Sequence, residues 1–91
     1  MPTDTPCVIV TGAASGIGRT TAQRFAADGW AVVCADRDAA GVQTLADDLN
    51  TAGHAALAVT VDVADEAATI AMATAAIDWT GRIDATIANA G

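Results

Sequence analysis

The stretch Thr11-Gly12-Ala13-Ala14-Ser15-Gly16-Ile17-Gly18, TGAASGIG, follows the apolar run Cys7-Val8-Ile9-Val10 and carries three glycines in eight residues. Glycine at this density lets a chain turn tightly and lets another group come up against its backbone. The apolar run has strand length and no polar alternation, so Cys7 to Thr11 reads as a strand buried on both faces. Gly16 to Asp28 then reads as a helix with Ile17, Thr21, Ala22, Phe25 and Ala26 on one stripe, and Gly29 is placed to end it. A junction of this kind delivers backbone N–H groups at the positive end of a helix, a ready site for phosphate. A plain strand-to-helix bend would also use glycine, so the surroundings of the loop decide its meaning.

Downstream, strand-length apolar runs keep alternating with helical spacing. Trp30 to Ala35 reads as a second strand finishing at Asp36-Arg37. Asp38 is an N-cap for a helix with the stripe Val42, Leu45, Ala46 and Leu49, stopped by Gly53. Ala55 to Val61 is a third strand ending at Asp62-Val63. Asp65 and Glu66 suit the first turn of a third helix, whose apolar positions include Ile70, Ala73 and Ile77 and which Gly81 closes. Ile83 to Ala88 supplies a fourth strand before Asn89. The pattern β-α-β-α-β-α-β implies an α/β fold, a doubly wound parallel sheet joined by crossover helices.

This context gives the glycine loop a function. It follows a strand, opens a helix, and precedes an acidic residue, Asp36, at the end of the second strand, as in a dinucleotide site. A carboxylate there can accept hydrogen bonds from both hydroxyls of an adenosine ribose, each worth about 1.5–3 kcal/mol. A 2′-phosphate at about 4 Å would instead meet like charge, at a cost of about 1–4 kcal/mol depending on the local dielectric. NAD is therefore expected over NADP. Arg37 could pair with a 2′-phosphate, but as a residue of a solvated turn it does not reverse that order.

Composition removes other classes. The chain has 91 residues, enough for one domain at most, with 53% hydrophobic and 16% charged residues. Its net charge of −7 argues against tracking nucleic-acid phosphates or an anionic membrane. There is no tyrosine and no lysine, Ser15 is the only serine and His54 the only histidine, which empties most acid–base and nucleophile roles. Cys7 and Cys34 fall in apolar runs and read as small buried hydrophobes. His54 reads as a loop residue, Asp47-Asp48 as a wet helix face, Trp30 and Trp79 as packing anchors, and Asp84 as the start of a strand. No signal-peptide pattern opens the chain and no run is long enough to span a bilayer, so the default location is cytoplasmic.

The order Gly-x-x-x-Gly-x-Gly resembles the cofactor loop of the short-chain dehydrogenase/reductase family. Three further motifs resemble that family in its own order: Asp36-Arg37 after the second strand, Asp62-Val63 after the third, and Asn89-Ala90-Gly91 after the fourth. The resemblance implies a Rossmann-like sheet of order 3-2-1-4, with residues 1–91 an incomplete NAD-binding domain. Gly12, Ser15, Gly16, Ile17 and Gly18 would surround the pyrophosphate and its neighbouring ribose, with Ile17 also near the nicotinamide half. Asp36 and Arg37 would border the adenosine ribose, Asp62 and Val63 the adenine, and Asn89, Ala90 and Gly91 the central ribose. Ala88 departs from the family by replacing the first asparagine of Asn-Asn-Ala-Gly, and one tie of the fourth strand is expected to be lost with it.

The family's tyrosine, lysine and substrate-orienting serine have no counterpart, so these 91 residues alone are expected to be inactive. A complete family member would move hydride between NAD and an alcohol or carbonyl substrate, and a homo-oligomer stays open. A free-standing nucleotide-binding module is the alternative, and a methyltransferase of related fold is a third that the motif order does not favour. In the family order the fourth strand would be an open edge, with two helices on one face and one on the other. A marginal or aggregation-prone monomer is expected if the chain stands alone.

Overall fold

The computed structural model describes residues 4–89. The elements run β1 (Cys7–Thr11), α1 (Gly16–Ala27), β2 (Ala31–Asp36), α2 (Ala39–Thr51), β3 (Ala55–Thr60), α3 (Glu66–Thr80) and β4 (Ala85–Ala88). They form one parallel sheet of order β3-β2-β1-β4, as the alternating pattern and the family order imply. Expected boundaries hold to within a residue or two. β4 starts at Ala85 rather than Ile83, and Ile83 and Asp84 lie in the irregular connection that leads into it.

Side chains alternate across the sheet and feed two cores. Val8, Val10, Val32 and Cys34 face α1 and α2 and pack with Ala22, Ala26, Val42, Leu45 and Leu49. Cys7, Ile9, Val33 and Ala35 face α3 and pack with Met72 and Ala76. Every residue of β1 is buried, so each of its aliphatic side chains contributes about 1.5–3 kcal/mol of transfer free energy. Phe25 at the end of α1 meets Trp30 edge to face, with ring centroids 5.0 Å apart, and closes the first core.

Two stripes differ from expectation. In α1 the buried face is Gly18, Ala22 and Ala26, a run at i, i+4, i+8, while Ile17, one residue off that stripe, is 77% exposed. In α3 the buried positions are Met72, Ala76 and Thr80, and Ile70 and Ile77 are 60% and 45% exposed. That helix carries only Glu66 and Asp78 as charges, so apolar side chains surround it and spacing alone cannot select its inner face.

β4 pairs with β1 alone among the described residues, and Thr86 and Ala88 are exposed. It is tied at both ends despite Ala88. Thr11 Oγ1 donates to Ile87 O at 3.4 Å. At the other end Cys7 N–H donates to Asp84 Oδ2 at 2.8 Å and Asp84 N–H returns a bond to Cys7 O at 2.8 Å.

Candidate cofactor-binding edge

Because all four strands are parallel, their carboxyl ends share one edge of the sheet. β1 leads there into Gly12 to Gly18, β2 ends on Asp36 ahead of Arg37, β3 leads to Asp62 and Val63, and β4 to Asn89. Chain order reverses between β1 and β4, and open parallel sheets bind ligands at such a switch point. Ala90 and Gly91, which the sequence also assigns to this edge, lie outside the described residues.

The loop is shaped by its glycines. Gly12 has φ 67°, a left-handed conformation that a side chain resists. Ser15 N–H and Oγ both donate to Gly12 O, at 3.2 and 2.9 Å, and Ala13 N–H donates to Ala35 O at 3.1 Å. At Gly18 a Cβ would lie 2.7 Å from Gly12 C and 3.1 Å from Ala13 Cα, so the helix can approach the loop only without a side chain. At Gly16 a Cβ would meet nothing within 4 Å, and that glycine faces open space.

The three helices begin differently. Asp38 caps α2 by accepting from Gly41 N–H at 2.9 Å, and Asp65 caps α3 by accepting from Ala68 N–H at 3.2 Å. Ser15 holds the same position before α1, yet its hydroxyl is turned to Gly12 O. The amides of Gly16, Ile17 and Gly18 therefore meet no acceptor among the described residues, and no acidic side chain sits in that first turn. Open amides on the positive end of a twelve-residue helix suit an anion of phosphate type.

The acidic side is equally defined. Asp36 Oδ2 accepts from Ala14 N–H at 3.0 Å and Oδ1 from Asp38 N–H at 3.1 Å. Asp62 shapes the turn ahead of α3, its Oδ1 accepting from Ala64 N–H at 3.0 Å. Val63 is 43% exposed beside it, an apolar surface at the same edge as Ile17. Arg19, Arg24 and Arg82 pair with Asp48, Asp28 and Asp84, whereas exposed Arg37 forms no ion pair among the described residues. The Nδ2 of Asn89 is buried without an acceptor among the described residues.

Three contributors escaped the sequence. Gly41 lets α2 approach the loop, since a Cβ there would lie 2.8 Å from Ala14 Cβ. Thr11 and Asp84 hold β4 in place, and the Arg82 guanidinium and the Cys7 N–H keep the Asp84 carboxyl below its ordinary range. A glycine in the first turn of α2 with no positive φ to require it is the one signal that marks Gly41 in advance.

Other candidates stand as packing or surface. Cys7 and Cys34 lie in different cores, and burial pushes the Cys34 thiol up to about 11. Asp48 pairs with Arg19 on the surface, and Asp47 accepts from Gln43. His54 sits in the loop before β3, its N–H donating to Leu49 O at 3.0 Å. Among the described residues there is no metal-ligating cluster and no enclosed cavity, and no helix is long and apolar enough to cross a membrane.

Residues 6–91 match the family described as short chain dehydrogenase, and the chain belongs to that family. It is 43% identical over 83 residues to the (2S)-[(R)-hydroxy(phenyl)methyl]succinyl-CoA dehydrogenase subunit BbsD of Thauera aromatica, covering 91% of this chain and 34% of that one. Among solved structures, a short chain dehydrogenase/reductase from Burkholderia phymatum in complex with NAD superposes with TM-score 0.88 at 34% identity, over 91% of this chain and 30% of that one. An actinorhodin polyketide ketoreductase variant with NADPH superposes with TM-score 0.92 at 34% identity, over 98% of this chain and 34% of that one. The chain thus spans about a third of the length of the curated relatives it matches, of which 34% is the share for BbsD.

Proposed function

We propose that residues 1–91 are the NAD-binding portion, an incomplete Rossmann domain, of an oxidoreductase that transfers hydride between NAD and a small alcohol or carbonyl substrate. The observation that carries this reading is the open helix start: the Gly16, Ile17 and Gly18 amides lack acceptors among the described residues, and a Cβ on Gly16 would meet nothing within 4 Å. A cofactor pyrophosphate supplies the missing acceptors. Gly12 and Ser15 shape the turn, and Gly18 brings the helix to it. Asp36 takes the adenosine ribose hydroxyls with Arg37 beside it, and Asp62 and Val63 border the adenine. Asn89, whose Nδ2 has no acceptor among the described residues, serves the central ribose together with Ala90 and Gly91. Exposed Ile17 reaches toward the nicotinamide half.

When bound, the nicotinamide supplies the hydride chemistry; the residues of this chain bind and orient it. They move no substrate proton, because tyrosine and lysine are absent and Ser15 is spent on the loop. The carboxylate of Asp36 supports NAD over NADP, by like-charge repulsion of a 2′-phosphate. Arg37, free of any ion pair among the described residues, narrows that preference without inverting it. Family relatives with NAD and with NADPH leave either cofactor chemically accessible to the fold. A cytoplasmic location, no nucleic-acid partner and no membrane contact accompany the reading, and a homo-oligomer is compatible with it.

Calorimetric titration with NAD, NADP and S-adenosylmethionine tests this. NAD binding tightest and S-adenosylmethionine not binding is the expected result; the reverse order would replace the oxidoreductase reading with a methyltransferase one. A stand-alone nucleotide-binding module draws on one observation, the missing tyrosine and lysine. The intact mass of the native gene product separates the two, since a module would weigh 9.0 kDa.

A further inference from the structure

The parts of this edge converge on a single residue. Asp36 Oδ2 accepts from Ala14 N–H in the middle of the glycine loop at 3.0 Å, and Oδ1 accepts from Asp38 N–H at 3.1 Å. Its backbone carbonyl accepts from Val61 N–H at 2.9 Å, immediately ahead of Asp62 and Val63. From the opposite side α2 presses on the same loop residue. A Cβ on Gly41 would lie 2.8 Å from Ala14 Cβ and 2.6 Å from Asp38 Oδ2. Ala14 is therefore gripped between the Asp36 carboxylate and the first turn of α2.

We infer that Asp36 is a positioning residue for the glycine loop, acting on the pyrophosphate through Ala14 as well as on the ribose through its free lone pairs. The inference rests on the cofactor reading above and deepens it. The Ala14 amide has the Asp36 carboxylate as its acceptor, and removing that carboxylate leaves a half-buried N–H unsatisfied. The loop then moves to find water, and the amides of Gly16 to Gly18 that follow it lose their preset direction. A consequence for selectivity follows. Substituting Asp36 to admit a 2′-phosphate removes the repulsion and slackens the phosphate loop together, so NADP gains less than the charge change alone provides.

The two tasks separate with two probes, ADP and 2′,3′-dideoxy-ADP, titrated against the protein as produced from its native gene. The second probe keeps the diphosphate and lacks the hydroxyls that Asp36 would accept. Asp36→Ala is expected to weaken dideoxy-ADP about tenfold, the scale of one charge-assisted hydrogen bond. Asp36→Asn keeps an acceptor for Ala14 and is expected to restore most of that loss. Gly41→Ala presses on Ala14 and on the Asp38 carboxylate while keeping the Asp36 side chain, and is expected to weaken both probes by the same factor. Without nucleotide, amide exchange at Ala14 quickens in Asp36→Ala while Ala13, held by Ala35 O, stays protected. Wild-type affinity of Asp36→Ala for dideoxy-ADP, alongside weakened ADP, overturns the positioning role and leaves the cofactor reading intact. A wild-type protein that binds neither probe overturns both.

Discussion

Alanine at position 18 would carry a Cβ 2.7 Å from Gly12 C and 3.1 Å from Ala13 Cα, with Gly12 O nearer still. Each of these is backbone, so no side chain can swing aside, and either α1 or the loop must move. Overpacking a tight contact costs about 1–3 kcal/mol, and rigid neighbours place this one at the upper end. Alanine regains about 1 kcal/mol of helix propensity over glycine, leaving a net loss of about 2 kcal/mol. For a domain of this size that lowers the melting temperature by about 8–16 °C. Gly16→Ala is the matched control. Its Cβ meets nothing within 4 Å, and Gly16 is not among the residues with positive φ. Stability should hold or rise by about 0.4–1 kcal/mol, while the new methyl stands on the loop face where the proposed cofactor would approach, and NAD binding is expected to weaken. Thermal melts by circular dichroism and NAD titration of both variants decide the matter. A Gly18→Ala variant that melts with the wild type, or a Gly16→Ala variant that binds NAD unchanged, would refute this account of the loop.

The faces of α3 are checked by a second pair: Met72→Ala should cost about 2–5 kcal/mol in urea unfolding, and Ile70→Ala, at an exposed site, should stay within about 0.5 kcal/mol; the opposite ranking would return Ile70 to the core. The Asp84 carboxyl is held below its ordinary value of 3.8, first by Arg82 and then by the Cys7 N–H. The unfolded chain thus takes up this proton at a higher pH than the folded one, and the stability Asp84 contributes is complete above 3.8 and lost as pH falls from there through its native pKa. Urea midpoints followed into acid should lose part of their slope in Asp84→Asn, and an unchanged slope would remove Asp84 from the acid response. Burial raises the Cys34 thiol to about 11, so iodoacetamide at neutral pH should label it only as the protein unfolds; labelling of the native protein would show that the first core opens.

Ala88 stands where the family motif has asparagine, and β4 is held to β1 by Thr11 at one end and Asp84 at the other. The partners in the Cys7–Asp84 pair are 77 residues apart, which puts the bond beyond any local pattern.

What the amino-acid order determined by itself is everything that depends on neighbours along the chain. Apolar runs of strand length, helical spacing in α2, an aspartate ahead of α2, acidic residues at the start of α3, and glycines after β1 were sufficient for the element sequence and for the position of the glycine loop. That Gly12, Ser15, Gly16, Gly18, Asp36, Asp62 and Asn89 share one edge was legible for the same reason, since parallel strands carry the residues that follow them to one edge. Tertiary structure alone decided which side of α3 faces the sheet, because a helix apolar all round holds no periodic signal and only the shape of the sheet selects Met72 and Ala76 over Ile70 and Ile77. It also decided that Asp36 reaches back to Ala14 and that Gly41 lies against the same residue, contacts made across the fold by groups whose separation in sequence says nothing of their distance in space.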